Sequence, residues 1–251
     1  MPNAPNPVTE LLDTLSAELP RVLGSDLTGI YLYGSLTQNA FNPKRSDVDC
    51  VIVTRHELNH TQFADLESWF AEMTKVNPWT ERLQATILIR DEVLKMDSPG
   101  CLYQFGKLTR SGSDGNPIIW LNILDSGVTL YGEPPQNFVP VITQPVILEA
   151  LQREVNYIRD EIEKPESQWR DLPKYRAYAV LTLCRILYTH AKGKVVSKPR
   201  AAIWACRKLP EGLHGAIRQA LAAETDDDIG DIPLETIHTI LDHAGAVFMA
   251  P

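Results

Sequence analysis

Apolar residues recur every three to four positions over residues 8–23, at Leu11, Leu12, Leu15, Leu19 and Leu23, and this spacing predicts an amphipathic helix. The period then changes. Residues 29–33 read Gly-Ile-Tyr-Leu-Tyr, a short aromatic and β-branched run that stops at Gly34 and predicts a strand. A turn-rich segment, 39–45, leads to a second strand over 47–54, with Val48, Val51, Ile52 and Val53. Phe63, Leu66, Phe70 and Met73 form the apolar face of a helix over 58–74, and Pro78 breaks the helical pattern. Residues 83–90 predict a third strand. Residues 118–124 fit a strand or a short helix, and 127–131 another short strand. Gly132-Glu-Pro-Pro135, followed by Pro140 and Pro145, is a shift in composition of the kind that marks a linker. Beyond it the pattern is helical only, over 146–163, 175–190, 201–209, 213–223 and 234–248. The expected fold class is α+β: a mixed sheet with helices over residues 1–140, then an all-α helical bundle over 141–251.

Composition narrows the functional classes. The chain has 251 residues, 44% hydrophobic and 22% charged, which is globular rather than disordered. With 32 acidic against 24 basic residues the net charge is −8, which argues against a general binder of nucleic acid or anionic membranes and allows only a local basic pocket. No stretch approaches the ~20 apolar residues of a membrane span. The first ten residues lack a basic-then-apolar leader, so the expectation is a soluble, cytoplasmic protein. Cys50, Cys101, Cys184 and Cys206 are irregularly spaced, without a CxxC pair, and read as reduced structural thiols. Asp226-Asp-Asp228 reads as a solvated loop, and Trp69 and Trp204 as core residues. The six histidines form no HExxH, and neither a Walker-type loop nor a Gly-x-Ser-x-Gly elbow occurs.

The segment with chemistry in it is Gly34-Ser35, eleven residues, then Asp47-Val48-Asp49. Side chains alternate along a strand, so the two aspartates share a face. Adjacent carboxylates repel unless a cation lies between them, and oxygen ligands of this kind suit Mg²⁺ bridged to phosphate. Gly34-Ser35 offers a tight turn after a strand, with backbone N–H groups and a hydroxyl for phosphate oxygens. A solvated acidic strand face is the plain alternative. An otherwise apolar strand that begins with two charges on one face needs a reason for them.

Tyr31-Leu-Tyr-Gly34-Ser35 with Ser46-Asp47-Val48-Asp49-Cys-Val-Ile-Val53 resembles the signature of the polymerase-β-like nucleotidyltransferase superfamily. The whole chain resembles the aminoglycoside (3'')(9)-adenylyltransferases, which modify streptomycin and spectinomycin. The second patch of likeness is Ala179-Val-Leu-Thr-Leu-Cys-Arg185-Ile-Leu-Tyr188, then Gly193-Lys-Val-Val-Ser-Lys198 and Ala201-Ala-Ile-Trp204. The resemblance implies a nucleotidyltransferase domain followed by a helical domain, and Mg²⁺-dependent transfer of AMP from ATP to a small-molecule hydroxyl by a monomer. It implies that Gly34 and Ser35 hold the nucleotide's phosphates and that Asp47 and Asp49 bind Mg²⁺. Arg185 and Lys198 fall where the family's helical domain supplies cations to the triphosphate.

Two departures qualify that expectation. Where the family carries a catalytic glutamate on the third strand, this chain has Gln84, which cannot accept a proton at neutral pH. Glu81 and Asp91 are the nearest carboxylates in sequence, both of opposite strand parity to Gln84. Before the long helix, where the family is acidic, stands Asp171-Leu-Pro-Lys174-Tyr175-Arg176, mostly basic and ill suited to a polycationic drug, although Trp169 and Asp171 remain candidates for the acceptor. A catalytically weak nucleotide-binding sensor is therefore the alternative function. A third reading takes Arg185 and His190 as the Arg-x₄-His of helical ribonucleases, against which the acidic charge stands. The acceptor stays open.

Overall fold

The computed structural model describes residues 4–112, 115–225 and 230–249. The chain divides into two compact units after Val141. In the first, helix α1 (Asn6–Leu23) buries Val8, Leu11, Leu12, Leu15, Leu19 and Leu23, the stripe its spacing predicts. Strands β1 (Leu27–Tyr33) and β2 (Val48–Thr54) pair antiparallel. Helix α2 (His60–Val76) opens on a capping box in which Asn59 Oδ1 accepts from Gln62 N at 2.9 Å while Gln62 Oε1 accepts from Asn59 N at 3.0 Å. It carries the chain over to β3 (Leu83–Ile89), which pairs parallel with β2.

Two strands lie where no element was expected, β4 (Pro99–Gln104) and β5 (Lys107–Gly112). They form a hairpin at one edge of the sheet, and among the described side chains only isolated ones such as Cys101, Tyr103 and Leu108 are buried, so the apolar alternation is too thin to read locally. The ambiguous 118–124 segment is helical, within α3 (Pro117–Ser126), started by Pro117 and capped by Asn116 Oδ1, which accepts from Ile118 N at 2.9 Å. Strand β6 (Val128–Gly132) follows, giving a six-stranded mixed sheet in the order β5-β4-β3-β2-β1-β6.

The sheet's two faces differ. Ile30, Leu32, Val48, Cys50, Ile52, Leu83, Ala85 and Ile87 turn toward one core shared with α1 and with Leu66, Phe70 and Met73 of α2. Asp49 and Gln84 alternate with these residues and so face the other way. On that other side Trp120 of α3 meets Tyr31 edge-on, ring centroids 5.7 Å apart, and donates its indole N–H to Val93 O at 2.8 Å.

The second unit is helical: α4 (Gln144–Glu163), the one-turn α5 (Gln168–Asp171), α6 (Pro173–Lys192), α7 (Lys198–Lys208), α8 (His214–Ala222) and α9 (Leu234–Met249). Helix α6 packs on the other five and is buried almost all round, from Ala177 to Thr189. Asp226-Asp-Asp228 lies outside the described residues. Cys50, Cys101 and Cys184 are buried free thiols and Cys206 a partly buried one, as the spacing implied. Burial pushes the Cys184 thiol up to about 12, with Cys206 adding a smaller push. Among the described residues no helix is long and apolar enough to cross a membrane.

Candidate active site

Strand β1 ends in Tyr33, and Gly34 then takes φ +78°, a left-handed value that suits glycine. The Gly34 carbonyl accepts from Gln38 N and from Thr37 Oγ1, each at 3.1 Å, so the chain leaves the strand in a tight turn. A second turn follows. Asn42 O accepts from Arg45 N (2.9 Å) and Ser46 N (2.8 Å), Asn42 Oδ1 from Lys44 N (3.0 Å), and Ser46 Oγ from Asn42 N (2.9 Å). Arg82 fastens this turn from outside: it donates to Pro43 O at 2.7 Å and to Ser46 O, while its guanidinium lies 4.3 Å from the centroid of the Trp79 ring. Asp47 is the next residue after the fastened Ser46, and Asp49 is the second residue of β2.

The strand register assembles the rest. Asp49 stands opposite Tyr33 on one side and level with Gln84 on the other. A Cβ on Gly34 would fall 2.1 Å from Asp49 Oδ2, so glycine, which the φ of +78° also favours, leaves room for that carboxylate where it stands. Gln84 donates from Nε2 to Asp47 Oδ2 at 2.9 Å. Asp47, Asp49 and Gln84 are all half-buried, and Ser35 Oγ is buried without a hydrogen-bond partner. Gly34, Ser35, Asp47, Asp49 and Gln84 thus meet at one end of the sheet. Two carboxylates on one face are the hard oxygen donors of a cation that keeps water or phosphate in its other positions, and a buried orphan hydroxyl beside them needs an oxygen to bond. The residues present fit Mg²⁺ with phosphate. Among the described residues no group of three or more His, Cys, Asp or Glu could hold a metal, because the third place belongs to an amide.

Neither nearby carboxylate stands in for that amide. Asp91 follows the far end of β3, at least five residues or roughly 17 Å along the strand from Gln84, and lies 3.7 Å from Arg90. Glu81 sits in the 3₁₀ turn Pro78–Arg82, exposed, with its Cγ 3.9 Å from where a Gly106 Cβ would lie. It faces the β4–β5 turn.

In the helical unit Arg185 is the one charged residue in the buried span of α6, and its Nε is buried without a hydrogen-bond partner. Lys198 opens α7, with Nζ 3.5 Å from Glu224 and 4.6 Å from the centroid of the Tyr178 ring. Trp169 packs against Tyr157, Tyr175 and Tyr178 at centroid distances of 5.7, 6.0 and 5.3 Å. The basic look of the segment 171–176, which runs into the first turn of α6, is partly misleading. Arg176 is largely buried and pairs with Asp231 at 2.6 Å, also donating to Arg170 O and Ile232 O, so its charge is consumed in holding the fold. His190 packs on Phe248 at 5.0 Å between ring centroids. Trp69, read as core, is partly buried and donates to Glu18 at 2.8 Å; Trp204 meets Tyr188 edge-on at 5.4 Å with its indole N–H unpartnered.

The fastening by Arg82, Asn42 and Ser46 was not anticipated. The turn itself falls in the segment 39–45 that reads as turn-rich, whereas nothing local marks Arg82 as reaching a loop some 36–39 residues away.

The family model of the aminoglycoside adenylyltransferase C-terminal domain matches residues 137–244, and that of the nucleotidyltransferase domain residues 10–98. A spectinomycin 9-adenylyltransferase of Campylobacter jejuni is 25% identical over 76% of this chain and 75% of its own length. An aminoglycoside (3'') (9) adenylyltransferase of Escherichia coli is 24% identical over 88% of this chain and 87% of its own. The crystal structure of a spectinomycin adenyltransferase from Enterococcus faecialis, with ATP and spectinomycin, shares the fold: TM-score 0.75 at 18% identity, covering 94% of this chain and 99% of that one.

Proposed function

We propose that this chain, which belongs to the aminoglycoside adenylyltransferase family and is a nucleotidyltransferase, transfers AMP from ATP to a hydroxyl of a small aminoglycoside-type acceptor, with spectinomycin the first to test. The observation that carries the reading is the fit of Asp49 against Gly34, whose missing Cβ leaves space for the carboxylate. A strand end built so tightly around a half-buried charge serves that charge.

In this reading Asp47 and Asp49 hold Mg²⁺, which supplies charge neutralisation and orientation to the triphosphate. Ser35 Oγ and the backbone turn after Gly34 bind phosphate oxygens. Arg185 and Lys198 are the cations for the triphosphate; an arginine Nε buried without a partner has a hydrogen bond to give, and bonds to phosphate are the strong, charge-assisted kind. The acceptor oxygen attacks the α-phosphorus in line: its O–P bond forms as the bond to the bridging oxygen of pyrophosphate breaks. The hydroxyl proton leaves to solvent, because Gln84 takes none. Gln84 instead donates to Asp47 and holds that carboxylate in place. General-base help is worth ~10²–10⁴ in rate, so its loss slows the transfer, while positioning and charge stabilisation remain. The same bond favours the second reading, a nucleotide-binding sensor whose site is intact but slow.

Pyrophosphate release with Mg²⁺-ATP, over a panel that includes spectinomycin and streptomycin, decides between them. The transferase reading expects acceptor-dependent release, an acceptor heavier by one AMP in mass spectra, and loss of both in Asp47→Asn. Binding of Mg²⁺-ATP with no release for any acceptor is the sensor's result.

A further inference from the structure

Helix α3 is apolar from Pro117 to Leu124 except at Asn122, and that residue is only 5% exposed. An amide buried in such a run costs free energy unless its hydrogen bonds are made, whereas leucine would fill the place without that requirement. Its bonds indicate what it is there for. Asn122 Oδ1 accepts from Gln38 Nε2 at 3.2 Å and from Ser126 Oγ at 3.0 Å, which uses both lone pairs of the carbonyl oxygen. Ser126 Oγ also has the main-chain oxygen of Asn122 within reach, at 3.2 Å. Of the two donors, then, only Gln38 depends on this side chain.

Gln38 belongs to the loop after Gly34. Its own N–H closes the turn on Gly34 O, and Ala40 N donates to Ser35 O at 3.0 Å. Ser35, whose Oγ is buried without a partner, lies inside this loop. Leu36 and Gln38 anchor the loop in different directions: Leu36 is buried in the core with α1, and Gln38 reaches α3, which packs on the other face of the sheet. An apolar contact such as that of Leu36 sets no direction, so it leaves the loop free to roll; a hydrogen bond to a fixed oxygen removes that freedom. The oxygen is fixed because α3 is held elsewhere. Trp120, fully buried, packs edge-on against Tyr31 and Phe138 and donates to Val93 O. The Gln38–Asn122 bond therefore orders the loop rather than the helix.

We propose that Asn122 and Gln38 are positioning residues for the nucleotide: acting through the loop, they aim Ser35 Oγ at a phosphate oxygen. This rests on the phosphate role given to Ser35 in the transferase reading and adds to it the pair of amides that keeps the hydroxyl in place. A loop oriented in advance spares the cost of ordering it when the nucleotide binds.

Equilibrium binding of Mg²⁺-ATP, read by calorimetry beside Tm, tests this without need of an acceptor. Asn122→Leu and Gln38→Leu are each made alone and together with Ser35→Ala. Each leucine variant is expected to raise the Kd for Mg²⁺-ATP by about three- to ten-fold, the net worth of one hydrogen bond, with Tm moved by no more than a few degrees. In the Ser35→Ala background the same substitutions are expected to change the Kd by less than about two-fold, because the group they aim is gone. Gln38→Leu, at a half-buried position that leaves Asn122 bonded to Ser126, keeps the test open if Asn122→Leu lowers Tm further. Kd values unmoved by both leucine variants overturn this inference alone. So do equal rises with and without the Ser35 hydroxyl, which are the mark of a merely structural bond. A Kd unmoved by Ser35→Ala itself, or a wild type that binds no Mg²⁺-ATP, overturns the phosphate role of Ser35 and this inference with it. Failure of the transferase reading shows separately, as binding without pyrophosphate release, and the same four-way comparison still decides the positioning role.

Discussion

Gln84 Nε2 donates a 2.9 Å hydrogen bond to Asp47 Oδ2, joining the residue just ahead of β2 to its parallel neighbour β3. A carboxylate oxygen only accepts, so the amide nitrogen faces it. A glutamate at position 84 has no hydrogen to give at neutral pH and would set a third negative charge against Asp47 and Asp49. The amide thus stabilises the pair without a cation, at the expense of a proton acceptor.

Gln84→Glu is therefore expected to behave oppositely with and without Mg²⁺. In chelator its like charges lower stability by up to about 1 kcal/mol, a few degrees of Tm for a unit of this size. In excess Mg²⁺ the third carboxylate strengthens the site, and the ligand-linked rise in Tm exceeds that of wild type. Transfer rises by about 10²-fold as a base becomes available. Thermal scans with and without Mg²⁺, next to pyrophosphate assays, read both effects.

Gly34→Ala meets two obstacles, a φ of +78° and a new methyl 2.1 Å from Asp49 Oδ2. Either the carboxylate swings away or the strand end shifts. We expect a stability loss of about 1–3 kcal/mol and transfer reduced at least ~100-fold by the misplaced aspartate. Denaturant melts and initial rates check the two numbers.

Removal of a buried hydroxyl that lacks a partner acts differently. Ser35→Ala is expected to leave stability unchanged or to raise it by up to about 1 kcal/mol, since an unsatisfied buried group is lost. The KM for ATP rises about ten-fold if that hydroxyl bonds a phosphate oxygen. A fall in Tm with an unchanged KM would count against the phosphate role.

Arg82 reaches two carbonyls at once, those of Pro43 and Ser46, and a planar fork with several donors is what such reach requires. Arg82→Ala should cost about 1–3 kcal/mol and slow transfer by about ten-fold, with proteolysis of the 36–47 loop hastened. Arg82→Lys, a single donor point on a flexible stem, is expected to recover little of either.

Much was legible in the residue pattern. The stripe from Val8 to Leu23, strands β1 to β3 and the burial of Cys50 and Cys184 follow from local periodicity, which an isolated segment carries within itself. The β4–β5 hairpin did not, because an edge pair with few buried side chains has a weak alternation and takes its stability from pairing with β3. Arg176 read as free charge and proved to be tied to Asp231, 55 residues away.

By itself, then, the order of residues determined the two kinds of architecture along the chain, the motif Gly34-Ser35 with Asp47-Val48-Asp49, and the absence of a glutamate at position 84. Tertiary structure alone decided that Gln84 bonds Asp47 and that Asp91 lies at the wrong end of its strand. It also decided that Arg82 fastens the loop and that Gln38 bonds Asn122 of α3. The physical reason is one of range: periodicity and propensity act over a few residues. Strand register and hydrogen bonds join residues tens of positions apart, and their geometry exists only once the sheet has closed around them.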